Sequence, residues 1–264
     1  MKIAIIGAGN LGGSIARGLS QGEMFKSTDI ICTSNEQPVL DRLHEANPEW
    51  TLTMDNCEAV RMADIVLLSV KPWLIGPIIQ EIKSALDYRR QILISAAAGV
   101  TLDQLRNFLL KNDECKLPIF FRVIPNTAVS VRSSMTFICT QQASPEQTEL
   151  VRNLFSELGV AMVIDERLMS AATALASCGI AYALRYIRAS IEGGVEMGFY
   201  PSQAQEIVIQ TVRGATELLR VNGSNPEQEI DKVTTPGGIT IKGLNEMAMS
   251  GFTSSVIRGL KAGL

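Results

Sequence analysis

Residues 7–12 read Gly7-Ala8-Gly9-Asn10-Leu11-Gly12 and follow at once on the apolar run Lys2–Ile6. Leu11, Ile15 and Leu19 then recur at helical spacing. The three glycines of such a turn have separate uses: a tight reversal, backbone open to a ligand, and close packing of helix on strand. The helix that opens there carries unpaired N–H groups and the positive end of its dipole, both suited to a phosphate. Strand, glycine turn and helix in that order predict a βαβ unit with a parallel sheet. Gly7, Gly9, Asn10, Leu11 and Gly12 are its candidate contacts to a dinucleotide pyrophosphate.

The rest of the first half extends this pattern. Strands are expected at Lys2–Ile6, Ile30–Thr33, Ile65–Val70, Ile92–Ala96, Phe120–Ile124, Met135–Cys139 and Ala161–Ile164. Helices are expected at Leu11–Ser20, Pro38–Ala46, Trp73–Ala85, Leu102–Leu110 and Pro145–Leu158. Short apolar strands separated by helices read as a parallel sheet covered on both faces. No helix separates Phe120 from Cys139, so the later strands should pair differently. After Asp165 the pattern becomes helical throughout, in Met169–Gly198, Pro201–Val221 and Ile239–Met249. In the second of these, Ala204, Ile207, Val208, Thr211, Val212, Ala215, Leu218 and Leu219 share one face. The predicted class is α/β: an N-terminal Rossmann-type doubly wound sheet over residues 1–164, then an all-helical domain over 165–264. So many apolar and small positions in about a hundred residues suggest burial against another subunit, with packing on the first domain as the alternative.

Composition narrows the function. With 46% hydrophobic and 19% charged residues, the chain has ample material for a core. Its net charge is −3 and no Lys/Arg cluster occurs, so no nucleic-acid partner is expected. Unbroken apolar runs such as Ile65–Val70 are too short for a bilayer, and the start lacks the marks of a secretory leader, so no membrane partner is expected. The five cysteines, Cys32, Cys57, Cys115, Cys139 and Cys178, form no C-x-x-C pair and read as buried free thiols of a cytoplasmic protein. The single histidine, His44, falls in a polar helical stretch, which excludes a Ser-His-Asp triad or a histidine metal site built from this chain alone.

Further cofactor candidates lie where other strands end, since ligands of open α/β sheets bind there. After Ile30–Thr33 come Ser34, Asn35 and Glu36. Thr33, Ser34 and Asn35 are neutral donors suited to a ribose 2′-phosphate, and Glu36 would oppose one if it pointed inward. NADPH is therefore the expected preferred donor, with NADH as the alternative. Val70, Lys71 and Pro72 close the next strand. The small residues from Ser95 to Thr101, Ala97 among them, would either admit a nicotinamide ring or serve plain packing.

Between two helices stands Val233-Thr234-Thr235-Pro236-Gly237-Gly238-Ile239-Thr240-Ile241. Pro-Gly-Gly breaks the helix and exposes backbone N–H groups just before the next one begins, a ready site for a small carboxylate. The plainer reading is a turn with a threonine cap. Together with Asn56-Cys57-Glu58-Ala59-Val60, Val70-Lys71-Pro72, Ala97-Ala98-Gly99-Val100-Thr101, Arg122-Val123-Ile124-Pro125-Asn126-Thr127 and Gly193-Gly194-Val195-Glu196-Met197-Gly198, this segment resembles the pyrroline-5-carboxylate reductase family. The resemblance implies a dinucleotide-binding domain, a helical dimerisation domain, and active sites near the subunit boundary of a homodimer or higher oligomer. It implies hydride transfer from NADPH or NADH to the imine acid 1-pyrroline-5-carboxylate, giving L-proline. It places the residues matching Asn56, Val70, Lys71 and Ala97 along the cofactor, and those matching Thr235, Ile239 and Thr240 at the substrate carboxylate or ring nitrogen.

Two departures from the family pattern stand out. Where relatives read Ser-Gly-Ser-Gly-Pro-Ala-Tyr, this chain has Leu175-Ala176-Ser177-Cys178-Gly179-Ile180-Ala181-Tyr182, and loss of the proline predicts an extended or straightened helix. Glu36 stands where many relatives carry a basic residue. A protonated imine is already electrophilic, so the protein has mainly to position it and exclude water. Backbone N–H groups from Gly238 to Thr240 would hold its carboxylate, and Thr240 is the candidate hydrogen-bond partner of the ring nitrogen. The alternatives are a hydroxyacid dehydrogenase of similar layout, disfavoured because Ala171–Tyr182 contains no lysine, and a non-catalytic cofactor sensor.

Overall fold

The computed structural model describes residues 1–111 and 117–264; Cys115 lies outside them. The chain divides into two compact units, Met1–Ser177 and Cys178–Leu264.

The first unit is built on strands β1 (Ile3–Ile6), β2 (Ile30–Thr33), β3 (Thr51–Thr53), β4 (Ile65–Leu68), β5 (Ile92–Ser95), β6 (Ile119–Ile124), β7 (Ser134–Cys139) and β8 (Gly159–Val163). They form one sheet in the order β3-β2-β1-β4-β5-β6-β7-β8. All described pairings are parallel except β6 with β7, where only a short 3-10 helix, Thr127–Val131, intervenes and the brief connection permits antiparallel return. Helices α1 (Asn10–Leu19), α2 (Gln37–Ala46), α3 (Asn56–Met62), α4 (Ile75–Ile82), α5 (Leu102–Leu109) and α6 (Pro145–Ser156) cross between strands. One apolar cluster joins Ile3, Ile5, Ile15, Leu19, Leu40 and Leu43, placing α1 and α2 on one face. A second joins Ala4, Ile6, Val60, Ile79 and Leu105 on the other. The sheet order reverses between β1 and β4, and ligands of such sheets bind at that switch point, beyond the carboxyl ends of the strands.

Sequence periodicity missed β3 and α3. β3 is a three-residue edge strand of alternating Thr and Leu, and α3 runs for seven residues, too short for a clear repeat. α3 is nonetheless well capped, with Asp55 accepting from the Glu58 N–H at 3.0 Å.

The sequence turns helical after Asp165, while the compact units divide between Ser177 and Cys178. Glu166 accepts from the Leu102 N–H at 2.7 Å and from Arg122 Nη1 at 3.1 Å. Met169, on helix α7 (Met169–Ala172), is fully buried among side chains of the sheet. Composition turns helical at that point, but these contacts keep residues 166–177 with the first unit.

The second unit contains α8 (Gly179–Glu196), α9 (Pro201–Asn222), α10 (Pro226–Lys232), α11 (Ile239–Met249) and α12 (Phe252–Ala262). α8 and α9 approach closely where a Cβ on Gly194 would lie 3.0 Å from that of Ala204. α10 and α12 were not expected from the sequence. By length and composition alone, the helical stretch Glu166–Glu196 could cross a membrane, although none of its unbroken apolar runs is that long. Arg185, Arg188 and Glu192 interrupt the run in sequence, and Arg188 and Glu192 pair with each other at 2.7 Å.

Candidate active site

The glycine turn meets the end of β4 at the switch point. Gly7 has φ +83°, and a Cβ there would lie 2.4 Å from Val70 Cγ1. A Cβ on Gly12 would lie 2.7 Å from the Gly7 carbonyl oxygen, so this glycine lets α1 sit against β1. At Gly9 a Cβ would meet nothing within 4 Å. Packing therefore demands glycine at the first and third positions, while the second borders open space. Among the described residues, the N–H groups of Asn10, Leu11 and Gly12 have no protein acceptor. This is the donor set a pyrophosphate needs, and the fit of a dinucleotide rests on it.

The remaining candidates are more varied. Ser34 is half-buried and its Oγ accepts from the Glu36 N–H at 3.2 Å; Asn35 and Glu36 are exposed. Thr33 is 1% exposed, and its hydroxyl donates to Asn56 Oδ1 at 2.6 Å, so it is not the phosphate donor the sequence suggested. Val70 is half-buried and Lys71 exposed. Pro72 opens a 3-10 turn, Pro72–Leu74, rather than the α-helix itself. Ala97 is 2% exposed and its side chain belongs to the core, which favours packing for that methyl; Ala98 and Gly99 are exposed beside it.

A cavity of about 340 Å³ opens beside the glycine turn, lined by Ala8, Gly9, Asn10, Arg17, Val39, Arg42 and Leu43. Neither arginine forms an ion pair among the described residues. Sequence reasoning passed over both, although Arg17 follows Asn10 by seven residues and so shares its helix face.

The Pro-Gly-Gly loop lies within the second unit. Gly237 has φ +71°, and the Gly238 N–H donates to the Thr235 carbonyl oxygen at 2.9 Å. Gly238 is the N-cap of α11 and offers no side-chain cap; Thr240 is the second residue of that helix and half-buried. Among the described residues, neither the Thr240 hydroxyl nor the N–H groups of Ile239, Thr240 and Ile241 have a protein partner. Thr240 therefore does not cap its own helix. Thr235 and Ile239 are exposed, Ile239 by 87%.

Residues 166–264 match the family model for pyrroline-5-carboxylate reductase dimerisation, and residues 2–99 match that for NADP oxidoreductase, coenzyme F420-dependent. Pyrroline-5-carboxylate reductase 2 of Dictyostelium discoideum is 35% identical over 272 residues, covering 98% of this chain and 89% of that protein. The chain belongs to the pyrroline-5-carboxylate reductase family. Reductase 1 of the same organism is 36% identical over 98% of this chain, which spans 48% of that longer protein. The crystal structure of Plasmodium falciparum pyrroline carboxylate reductase with NADP bound matches with a TM-score of 0.86 at 25% identity, covering 100% of this chain and 95% of that one.

Against the reductase pattern, the Ile180 substitution has a visible outcome. The helix does run on past this point, but Thr173–Cys178 form a π-helix directly before α8, so it is not straightened into regular α-helix. Ser177, inside that π-helix, donates to the Pro125 carbonyl oxygen at 3.3 Å. π-turns recur at functional sites because they displace a side chain from the regular helical register. Among the described residues the cysteines belong to no cluster that could hold a metal. Burial pushes the thiols of Cys32 and Cys139 up to about 12, with Arg17 opposing the rise at Cys32. Cys57 and Cys178 are free but half-buried, so full burial holds for part of the expected set.

Proposed function

We propose that this chain reduces 1-pyrroline-5-carboxylate to L-proline with NADPH as the preferred donor, as a homodimer or larger homo-oligomer of the cytoplasm. The observation that carries the reading is a dinucleotide turn with open space at Gly9 in a chain of this reductase family. When bound, the reduced nicotinamide cofactor supplies the hydride.

The chain's own residues do the rest. Asn10, Leu11 and Gly12 offer free N–H groups to the pyrophosphate. Ser34, Asn35 and Asn56 serve the adenosine end, Val70, Lys71 and Pro72 border the same switch point, and Ala97 does so through its backbone. Arg17 and Arg42 support the preference for NADPH, because an additional phosphate near the turn would meet two unpaired guanidinium groups. In the second unit, the free N–H groups of Ile239, Thr240 and Ile241 suit a carboxylate, the Gly238 N–H being taken by the Thr235 carbonyl, and the unpartnered Thr240 hydroxyl suits the ring nitrogen. Thr235 and Ile239 flank them. An imine that arrives protonated asks of the protein orientation and dryness more than acid–base chemistry. Free thiols at Cys32 and Cys139 suit a reducing compartment.

The test is NADPH oxidation followed by absorbance, with and without 1-pyrroline-5-carboxylate. Oxidation that depends on the imine, with proline as product, is the expected result. Oxidation driven equally well by a hydroxyacid's keto partner would replace this reading with the dehydrogenase alternative.

A further inference from the structure

Thr33 is the last residue of β2, paired with Ile6 at the end of β1. Three hydrogen bonds converge on it. The Gly7 N–H donates to its hydroxyl oxygen at 3.3 Å, and the Ala8 N–H donates to its carbonyl oxygen at 2.7 Å. Its own hydroxyl proton goes to Asn56 Oδ1 at 2.6 Å. The direction of this chain is fixed chemically. Gly7 N–H can only donate, so the Thr33 oxygen accepts from it and its single proton is left for Asn56. Asn56 receives that proton on its oxygen and turns its NH₂ group the other way. On that side Glu81, which can only accept when ionised, takes Asn56 Nδ2 at 3.1 and 3.3 Å. The Glu81 carboxylate sets the orientation of the amide, because a flipped Asn56 would turn its oxygen on the carboxylate, and the Thr33 proton is then directed to Asn56 Oδ1.

We propose that Thr33 is a positioning residue for the nicotinamide cofactor: one buried hydroxyl fixes the first glycine of the turn and, together with Glu81, holds the Asn56 amide so that the NH₂ hydrogen left over from the Glu81 contact, rather than its oxygen, is free for the cofactor. A dinucleotide offers chiefly acceptors along its ribose and phosphates, so the donor-outward amide is the productive one. The inference rests on the reading of Asn56 as a cofactor residue. Thr33 acts on cofactor affinity and leaves the chemical step untouched.

The experiment compares Thr33→Val, which keeps shape and loses the hydroxyl, with Thr33→Ser, which keeps the hydroxyl. NADPH is titrated by quenching of tryptophan fluorescence, and steady-state kinetics and melting are followed in parallel. Thr33→Val should weaken NADPH binding ~5–20-fold, the effect of about one or two lost hydrogen bonds, with kcat unchanged within about twofold. Thr33→Ser should restore binding. In an Asn56→Ala background, Thr33→Val should cost several-fold less than in the unaltered protein, because only the Gly7 contact is left to lose. Three results would overturn the proposal: a lower melting point with normal NADPH affinity, an equal loss in the Asn56→Ala background, or a folded Thr33→Ser protein that binds as poorly as Thr33→Val. If Thr33→Val does not fold, Thr33→Ala carries the same comparison. The titration needs no imine, so a failure of the reduction assay and a failure of this proposal are told apart.

Discussion

The two units treat their apolar residues in opposite ways. In the first, Ile3, Ile5, Phe120, Phe121 and Phe155 are each at most 1% exposed, and both faces of the sheet are covered. In the second, the buried residues are Gly194 on α8 and Ala204 on α9, while α10, α11 and α12 have none. Leu184 is 58% exposed, Ile257 52% and Met249 84%. The apolar positions recur at helical spacing in both units. What differs is whether the chain itself supplies the covering surface, and a dimerisation segment obtains it from another copy.

The largest effect should come from putting charge on the uncovered faces. Leu184→Glu combined with Ile257→Glu is expected to reduce the assembly to single chains, measured by light scattering, with loss of imine reduction. A mass unchanged from that of the unaltered protein would show that these faces are not what holds the copies together.

A smaller contrast separates the two kinds of burial. Phe121→Ala, in the closed core, should cost about 3–5 kcal/mol through lost transfer energy and a cavity. That loss should be the same at every protein concentration. Ile257→Ala should instead lower the melting point by an amount that shrinks as protein concentration rises, because association stabilises by mass action. Equal, concentration-independent losses would remove the distinction.

Next in size is Thr240→Val, nearly equal in volume. With no cap to lose, the melting point and NADPH affinity should hold. kcat/KM for the imine should fall by about 5–150-fold, the range of one hydrogen bond worth roughly 1–3 kcal/mol to the transition state. A variant that melts lower yet turns over normally would make Thr240 a structural residue and move the nitrogen's partner elsewhere.

The same division explains what the sequence could disclose. The glycine turn was legible because backbone chemistry alone dictates it: φ at Gly7, packing at Gly12 and open space at Gly9 follow from the pattern. The β6–β7 reversal was legible from a missing helix. β3 was not, since three residues carry no measurable alternation, and its place comes from pairing with β2. Thr33 was read as a phosphate donor because a sequence shows a hydroxyl but not who has already claimed it. Arg42 was invisible for the converse reason: its significance lies in facing a cavity formed with α1, a contact between elements that no local pattern encodes. Nothing in the sequence foretold the π-turn at Thr173–Cys178, directly before α8.

The smallest predicted effect concerns the charge around the adenosine end. Glu36 is exposed and its side chain makes no cap to α2, so nothing holds it toward or away from a 2′-phosphate. Arg42 lines the cavity beside Gly9 and Asn10 without an ion-pair partner among the described residues. Glu36→Lys should therefore raise the NADPH/NADH ratio of kcat/KM, and Arg42→Ala should lower it. Exposed charges interact weakly through water, about 0.2–1 kcal/mol, so each change should be roughly 1.5–5-fold and should fade as salt is added. The two variants together discriminate between the sites. A shift with Arg42→Ala but none with Glu36→Lys would place the phosphate in the cavity between α1 and α2. The reverse would place it over the turn at Ser34 and Asn35. No shift with either would mean that the arginines serve only to solvate the helix faces, and the preference for NADPH would lose its structural support.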